Sequence, residues 1–208
     1  MIKFATPLCS LAYEYGTDKC PNNKHGFTPI YYKILKNKRS HIRKVLEIGV
    51  GYYKDMERQE TYLHVPSGIY YHKGASLKMW RDFLPNALIY GADLRPETVF
   101  TANRIKTFVC DETKEEDIRN LIIQTGSDID LFIDDASHAK EDQVYLAKTV
   151  IPLLKTDVIY FIEDVSHPSY LITKLNNYNC TIYNGGKHWQ DDNLVMVNKQ
   201  PTTNFKAL

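Results

Sequence analysis

No uninterrupted apolar run in the 208 residues reaches about 18, the length that a membrane-spanning helix requires, so no membrane partner is expected. Neither charge is in surplus: 26 Lys and Arg stand against 25 Asp and Glu, leaving a formal net charge of +1. Without a basic field, no nucleic-acid partner is expected. Cys-x-x-Cys pairs are absent, and the four cysteines at 9, 20, 110 and 180 are widely scattered. That excludes a paired-thiolate metal site. A disulfide framework is not expected either, because a chain of this length can build its own core. The opening MIKFATPLCSLAYEYGTDK lacks the long apolar stretch of a secretory signal, so a soluble protein in the reducing cytoplasm is expected. Repeats and low-complexity tracts are missing too. A homo-oligomer is compatible with all of this.

What is present is an ordinary globular composition, 43% hydrophobic and 25% charged. The length suits one α/β domain over residues 1–208. From residue 45 onward, short apolar runs alternate with amphipathic stretches, the pattern of a parallel sheet with crossover helices. The apolar runs are 45–49, 88–94, 105–110, 131–135, 158–162, 180–183 and 194–197. Helices are expected at 75–83, 115–124, 140–154 and 170–176. Two runs, DLFIDD and VIYFIED, end in paired acids. The acids thereby fall at the carboxyl ends of central strands, where open α/β sheets bind their ligands.

Two segments break the rhythm. Residues 12–32 are polar, aromatic and turn-rich, and a basic helical stretch follows to Arg43, so 1–44 reads as an N-terminal lid and helical segment. Residues 52–73 interrupt the first strand–helix connection. An insertion of that length in a compact domain is often a lid or a binding loop, and its tyrosine and histidine rings suit a packed one.

The run VLEIGVG is a buried strand entering a glycine turn. Gly49 and Gly51 let the backbone approach a ligand, and Glu47 places an acid just before the turn. A dinucleotide fingerprint is excluded, because Lys54 stands where the third glycine belongs. Asp93, ending the second run, sits where an acid accepts ribose hydroxyls. Asp111, after the third, is placed to accept from an adenine amino group. A lone strand-end Asp is usually a turn cap. Acids ending successive strands favour a nucleoside site.

DDASH (134–138) and IEDVSH (162–167) end the next two strands. Asp135, Glu163 and Asp164 would then share one rim. Unpaired, they would repel and raise one another's pKa values. A hard dication such as Mg²⁺ (or Mn²⁺) with oxygen ligands removes that conflict. His138, three residues past Asp135, is placed as a general base for a hydroxyl that a metal acidifies. Each residue alone also has a plain reading, as a helix-start acid or a capping histidine.

Taken together, VLEIGVG, GASLKMWRDFLPNALIYGADL, RIKTFVCDET, DLFIDDASH and VIYFIEDV resemble the class I methyltransferases that modify sugar hydroxyls. The likeness is strongest to the Mg²⁺-dependent macrolide-sugar O-methyltransferases, whose GTDK…HG(Y/F)T…Y element is matched by YGTDKCPNNKHGFTPIYY. The resemblance implies a Rossmann-like α/β fold with a seven-stranded, mostly parallel sheet. It implies S-adenosylmethionine over the first four strands, held by Gly49, Asp93 and Asp111. Glu47, Gly51, Ser76, Leu94, Asp134, Lys19 and His25 are assigned to the same cofactor. Metal ligation falls to Asp135, Glu163 and Asp164, and catalysis to His138 with Asp135.

On that reading the acceptor is a sugar hydroxyl, of a deoxyhexose such as rhamnose on a glycan or glycoside. Tyr31, His167, Trp189, Asp191 and Asp192 are its candidate contacts, a Trp beside acids being one way to grip a sugar face. A strand-end turn with a packing Trp is the plain alternative. The large additional N-terminal domain of the macrolide enzymes has no counterpart in these residues. A catechol-type O-methyltransferase and a non-catalytic nucleoside-binding domain are the competing functions.

Overall fold

The computed structural model describes residues 2–51, 73–186 and 190–199. Its N-terminal helix α1 (Pro7–Tyr15) begins where the Thr6 side chain accepts from Cys9 N–H at 3.2 Å, with Pro7 in the first turn. It ends at Gly16, which takes the left-handed conformation that such a stop requires (φ +74°). Helix α2 (Phe27–Leu35) follows and buries Phe27, Thr28, Tyr31 and Leu35. Within residues 12–32, 16–26 are turns as expected, but 12–15 and 27–32 belong to the two helices, and Lys19, Cys20, His25 and Tyr31 are buried. The basic stretch that follows is not helical: α2 stops at Leu35 and 36–41 are solvated turns anchored by buried Ile42.

Beyond it run β1 (Lys44–Ile48), α3 (Ala75–Phe83), β2 (Leu88–Asp93), β3 (Thr101–Ala102), β4 (Ile105–Val109) and α4 (Glu115–Thr125). Then come β5 (Leu131–Asp134), α5 (Lys140–Val150), β6 (Ile159–Ile162), α6 (Pro168–Lys174), β7 (Asn179–Asn184) and β8 (Asn193–Asn198). Helix α4 opens with Glu115, Glu116 and Asp117, acids placed favourably at a helix N-terminus. Helix α5 gives way to a 3₁₀ turn at Ile151–Leu153, because Pro152 cannot donate to the ladder.

The strands form one sheet in the order β3-β4-β2-β1-β5-β6-β8-β7, with eight strands among the described residues rather than seven. The extra one is the two-residue β3, folded back antiparallel on β4. Strands β4, β2, β1, β5 and β6 are mutually parallel; β8 and β7 return antiparallel.

Side chains alternate across the pleat. Leu46, Ile48, Phe132, Tyr160 and Ile162 face one core, where the rings of Phe132 and Tyr160 stack at 4.8 Å. Val45, Ile89, Leu131, Ile133 and Phe161 face the other, beneath α1, α2 and α3 with Trp80 and Tyr31. No helix among the described residues is long and apolar enough to cross a membrane.

One feature of register positions the site. Ala92, Ile48, Asp134 and Ile162 lie in one row across four neighbouring parallel strands. The next residues are Asp93, Gly49, Asp135 and Glu163, so four sequence motifs end at one rim. The chain turns back between β1 and β5, and a crevice opens at that switch point.

Candidate active site

The glycine turn is held from two sides. Gly49 N–H donates to Ala92 O at 2.8 Å, and Asp135 N–H donates to Ile48 O at 2.9 Å. At Gly49, where φ is +98°, an added Cβ would lie 1.8 Å from Asp135 O. The glycine is thus required first by the neighbouring strand end. The carboxylate of Asp93 accepts Val50 N–H and Gly51 N–H at 3.0 Å each on Oδ2, and Arg95 N–H at 3.0 Å on Oδ1. Asp93 therefore sets the shape of the loop that a nucleoside would meet.

Several other residues expected at the cofactor have partners of their own in the chain or lie on its surface. Glu47 is fully buried; Ser76 Oγ and Trp80 Nε1 donate to its two oxygens, the latter at 2.6 Å, and burial raises its pKa. Asp134 points to the opposite core, 3.5 Å from the Tyr160 hydroxyl, with its pKa pushed well above the carboxylate range by burial. Asp111 caps its own turn, accepting Thr113 N–H at 3.0 Å, Thr113 Oγ1 at 2.6 Å and the Lys114 ammonium at 3.0 Å. Leu94 is exposed on the surface.

Three residues converge at the rim. His138 Nε2 lies 3.5 Å from Asp135 Oδ1 and 3.3 Å from Asp164 Oδ2. Asp164 adopts φ +51°, a conformation sparsely populated by non-glycine residues, and this turns its carboxylate back toward β5. Burial would raise Asp135, but Lys19 and then His138 hold it down at about 2. Burial, followed by the charge of Asp135, pushes Asp164 up to about 8. For His138, burial favours the neutral ring, yet Asp135 and Asp164 outweigh it and lift the pKa to about 9.

Glu163 does not join that group. Lys19 Nζ donates to Glu163 Oε2 at 2.6 Å and also to Asp135 Oδ2, while the Tyr31 hydroxyl donates to Glu163 Oε1. Tyr31 is fully enclosed, its ring edge-on to Trp80 and Phe161, so it is not an open sugar contact. His25, buried and with its pKa lowered by that burial, stands between Asp164 and Asp192 rather than over the glycine turn. Asp192 is wholly buried and accepts Gly26 N–H at 3.2 Å. His167 is exposed at the start of α6 and lines no part of the cavity. Asp191 is half-buried beside His25 and Asp164. Trp189 and residues 52–72 of the insertion lie outside the described residues.

A cavity of about 220 Å³ joins these parts. Gly49, Val50, Gly51 and Ser76 form one wall and Asp135, His138 and Asp164 the other. Thr17, Asp18 and Lys19 close it from the α1–α2 connection. Thr17 and Asp18 were not singled out from sequence; their only signal is adjacency to Lys19 in YGTDK.

No family model matches the chain. Over 158 residues, 76% of this chain, it is 31% identical to 8-demethyl-8-alpha-L-rhamnosyl tetracenomycin-C 2'-O-methyltransferase of Streptomyces olivaceus, covering 37% of that protein. It is likewise 31% identical over 158 residues to L-olivosyl-oleandolide 3-O-methyltransferase of Streptomyces antibioticus, again covering 37% of that protein. The chain thus spans little more than a third of the length of these curated relatives. The solved structure of the MycE methyltransferase of the mycinamycin pathway, in complex with Mg and SAH, superposes with a TM-score of 0.73 at 23% identity, covering 98% of this chain and 57% of that one. A putative caffeoyl-CoA O-methyltransferase from Staphylococcus aureus superposes at 0.54 with 12% identity, over 83% and 82% of the two chains. The chain thus shares its α/β fold with these solved methyltransferases, and its sequence resembles that of sugar O-methyltransferases.

Proposed function

We propose that this chain is a metal-dependent S-adenosylmethionine O-methyltransferase acting on a sugar hydroxyl, of a deoxyhexose such as rhamnose on a glycan or glycoside. The observation that carries this reading is the meeting of Asp135, His138 and Asp164 beside the glycine turn. The rhamnosyl and olivosyl acceptors in the names of the related enzymes support the acceptor class.

The residues present fit both groups. Asp135 Oδ1 and Asp164 Oδ2 both lie within 3.5 Å of His138 Nε2 and offer oxygen donors suited to Mg²⁺, and Glu163 stands next to them across Lys19. Asp135 and Asp164 would hold the cation, with Glu163 as the third carboxylate of the ring. Gly49, Gly51, Ser76 and Asp93 would hold the cofactor. When bound, the cofactor supplies an electrophilic methyl group and the cation lowers the pKa of a chelated hydroxyl.

His138 Nε2 takes the acceptor proton. Against burial, it is chiefly the contact with ionised Asp135 that favours the protonated ring. With a cation held by Asp135 and Asp164, the imidazole would lose that hold and could act as the base. Lys19 keeps Asp135 ionised, ready to bind a cation, and Asp93 fixes the loop on which the methyl donor rests. A well-placed base contributes roughly 10²–10⁴-fold. The four cysteines are free thiols, in keeping with a proposed cytoplasmic setting.

Methyl transfer from S-adenosylmethionine to a panel of rhamnosides, olivosides and catechols tests the proposal. Transfer to a deoxyhexoside that needs Mg²⁺ and stops in excess EDTA supports it. Transfer to catechols alone, or full activity in EDTA, refutes it.

A further inference from the structure

We propose that His25, Asp164 and Asp191 form a second cation site, for a transition dication such as Zn²⁺, adjacent to the Mg²⁺ position and sharing Asp164 with it.

The hydrogen bonds around His25 set its tautomer. Asp192 Oδ1 accepts Gly26 N–H at 3.2 Å and is therefore an acceptor. His25 Nδ1, 3.2 Å from the same oxygen, must be its donor. A neutral imidazole then has no hydrogen left on Nε2, and its lone pair points away from Asp192. The atom it faces is Asp164 Oδ1 at 3.1 Å. Both atoms are buried, and neither has a hydrogen-bond partner.

Two lone-pair atoms this close, shielded from water, need a proton or a cation between them, and an ion ligated by both meets that need. Tetrahedral ligands about 2.1 Å from one ion sit about 3.4 Å from each other, close to the 3.1 Å seen between these two atoms. Asp191 completes the group: its ligand atom and those of His25 and Asp164 all lie within 4.8 Å of one another. It is also the one half-buried member, leaving an approach for the ion.

The surroundings have the form of a prepared ligand shell. A ligating histidine commonly donates its other ring N–H to a carboxylate, which fixes the tautomer and orients the ring; Asp192 plays that part here. Phe27 stacks on the His25 ring at 4.8 Å and 3°, restricting its rotation. Asp164 presents different oxygens to the two positions, Oδ1 to His25 and Oδ2 to His138.

The donor set favours the same conclusion. An imidazole nitrogen with two carboxylates suits a borderline transition ion better than Mg²⁺, which prefers oxygen alone.

Metal content tests this without reading methyl transfer, so its failure is separate from failure of the proposed function. Full-length protein is stripped with chelator, dialysed against millimolar Mg²⁺ with micromolar Zn²⁺, and its zinc measured by mass spectrometry. One Zn²⁺ per chain is expected, with affinity falling at least about tenfold in His25→Gln and in Asp191→Asn. Asp135→Asn should keep its zinc. Thermal melts in zinc-free buffer check the fold of each variant, and Asp191→Asn, at a half-buried position, carries the test should His25→Gln not fold. No zinc in the wild-type chain, zinc unaffected by Asp191→Asn, or zinc lost with Asp135→Asn would each overturn the proposal.

Discussion

Lys19 and Asp135 are 116 positions apart in the chain, yet the lysine ammonium donates to the Asp135 carboxylate in the interior of the molecule. The same ammonium reaches Glu163 Oε2 at 2.6 Å, so one buried cation ties the α1–α2 connection to the ends of both β5 and β6. The N-terminal layer thereby shapes the acid cluster that the sheet presents.

Removing that ammonium leaves Asp135 and Glu163 enclosed without their countercharge. Lys19→Met should lower stability by about 3–5 kcal/mol, the cost of breaking a buried pair from one side. Urea unfolding of the metal-free chain measures it, and a loss under about 1 kcal/mol would contradict the pairing.

The N-terminal connection also meets the β7–β8 turn at very close range. A Cβ added at Gly26 would lie 1.6 Å from Gly185 O, although the backbone there is at φ −88° and carries no strain of its own. Gly26→Ala should therefore act through crowding alone, costing about 1–3 kcal/mol or more. A melting temperature equal to that of the wild type would show that the two segments are not in contact.

Asp93 offers one oxygen to two amides of the glycine turn. Charge-assisted hydrogen bonds are worth about 1.5–3 kcal/mol each, and a loosened turn should weaken S-adenosylhomocysteine binding by about ten- to a hundredfold in Asp93→Ala. Isothermal calorimetry reads the change directly; unaltered affinity would separate Asp93 from the cofactor.

Acid should loosen the opposite end of the sheet. Burial works against the charge on Asp130, but the Lys155 ammonium and the N–H groups of Arg43 and Lys44 outweigh it and hold the carboxyl below its ordinary range. A depressed folded-state pKa contributes stability above the unfolded value of about 3.9, and that stability is lost as pH falls through the folded pKa. Asp130→Asn should be about 2 kcal/mol less stable than the wild type at pH 7. The difference should shrink below about pH 4, as denaturant melts across pH will show; a constant difference would rule out the charge as its source.

The sheet and its rim are legible in the sequence because local patterns encode them. VLEIGVG, DLFIDD and VIYFIED are apolar runs with acids or glycines at their ends, and parallel register carries those ends to one side. Side-chain direction is less legible. Asp134 and Asp135 are neighbours in sequence, but the pleat sends Asp134 into the Tyr160 core and leaves Asp135 at the cavity. Glu163 and Asp164 separate for a different reason, the φ +51° turn at Asp164. The polar look of residues 12–32 concealed a packed layer, because Lys19, His25 and Tyr31 are buried through partners more than a hundred positions away. Only long-range pairing makes such residues interior, and no local periodicity reports it.

The central claim is that His138 removes the acceptor proton where Asp135 and Asp164 hold a cation. Turnover of His138→Ala on a rhamnoside at saturating Mg²⁺, beside its S-adenosylhomocysteine affinity, tests that most directly. A kcat lower by roughly 10²–10⁴-fold, with cofactor affinity within about twofold of the wild type, is expected. A kcat within about threefold of the wild type would contradict it.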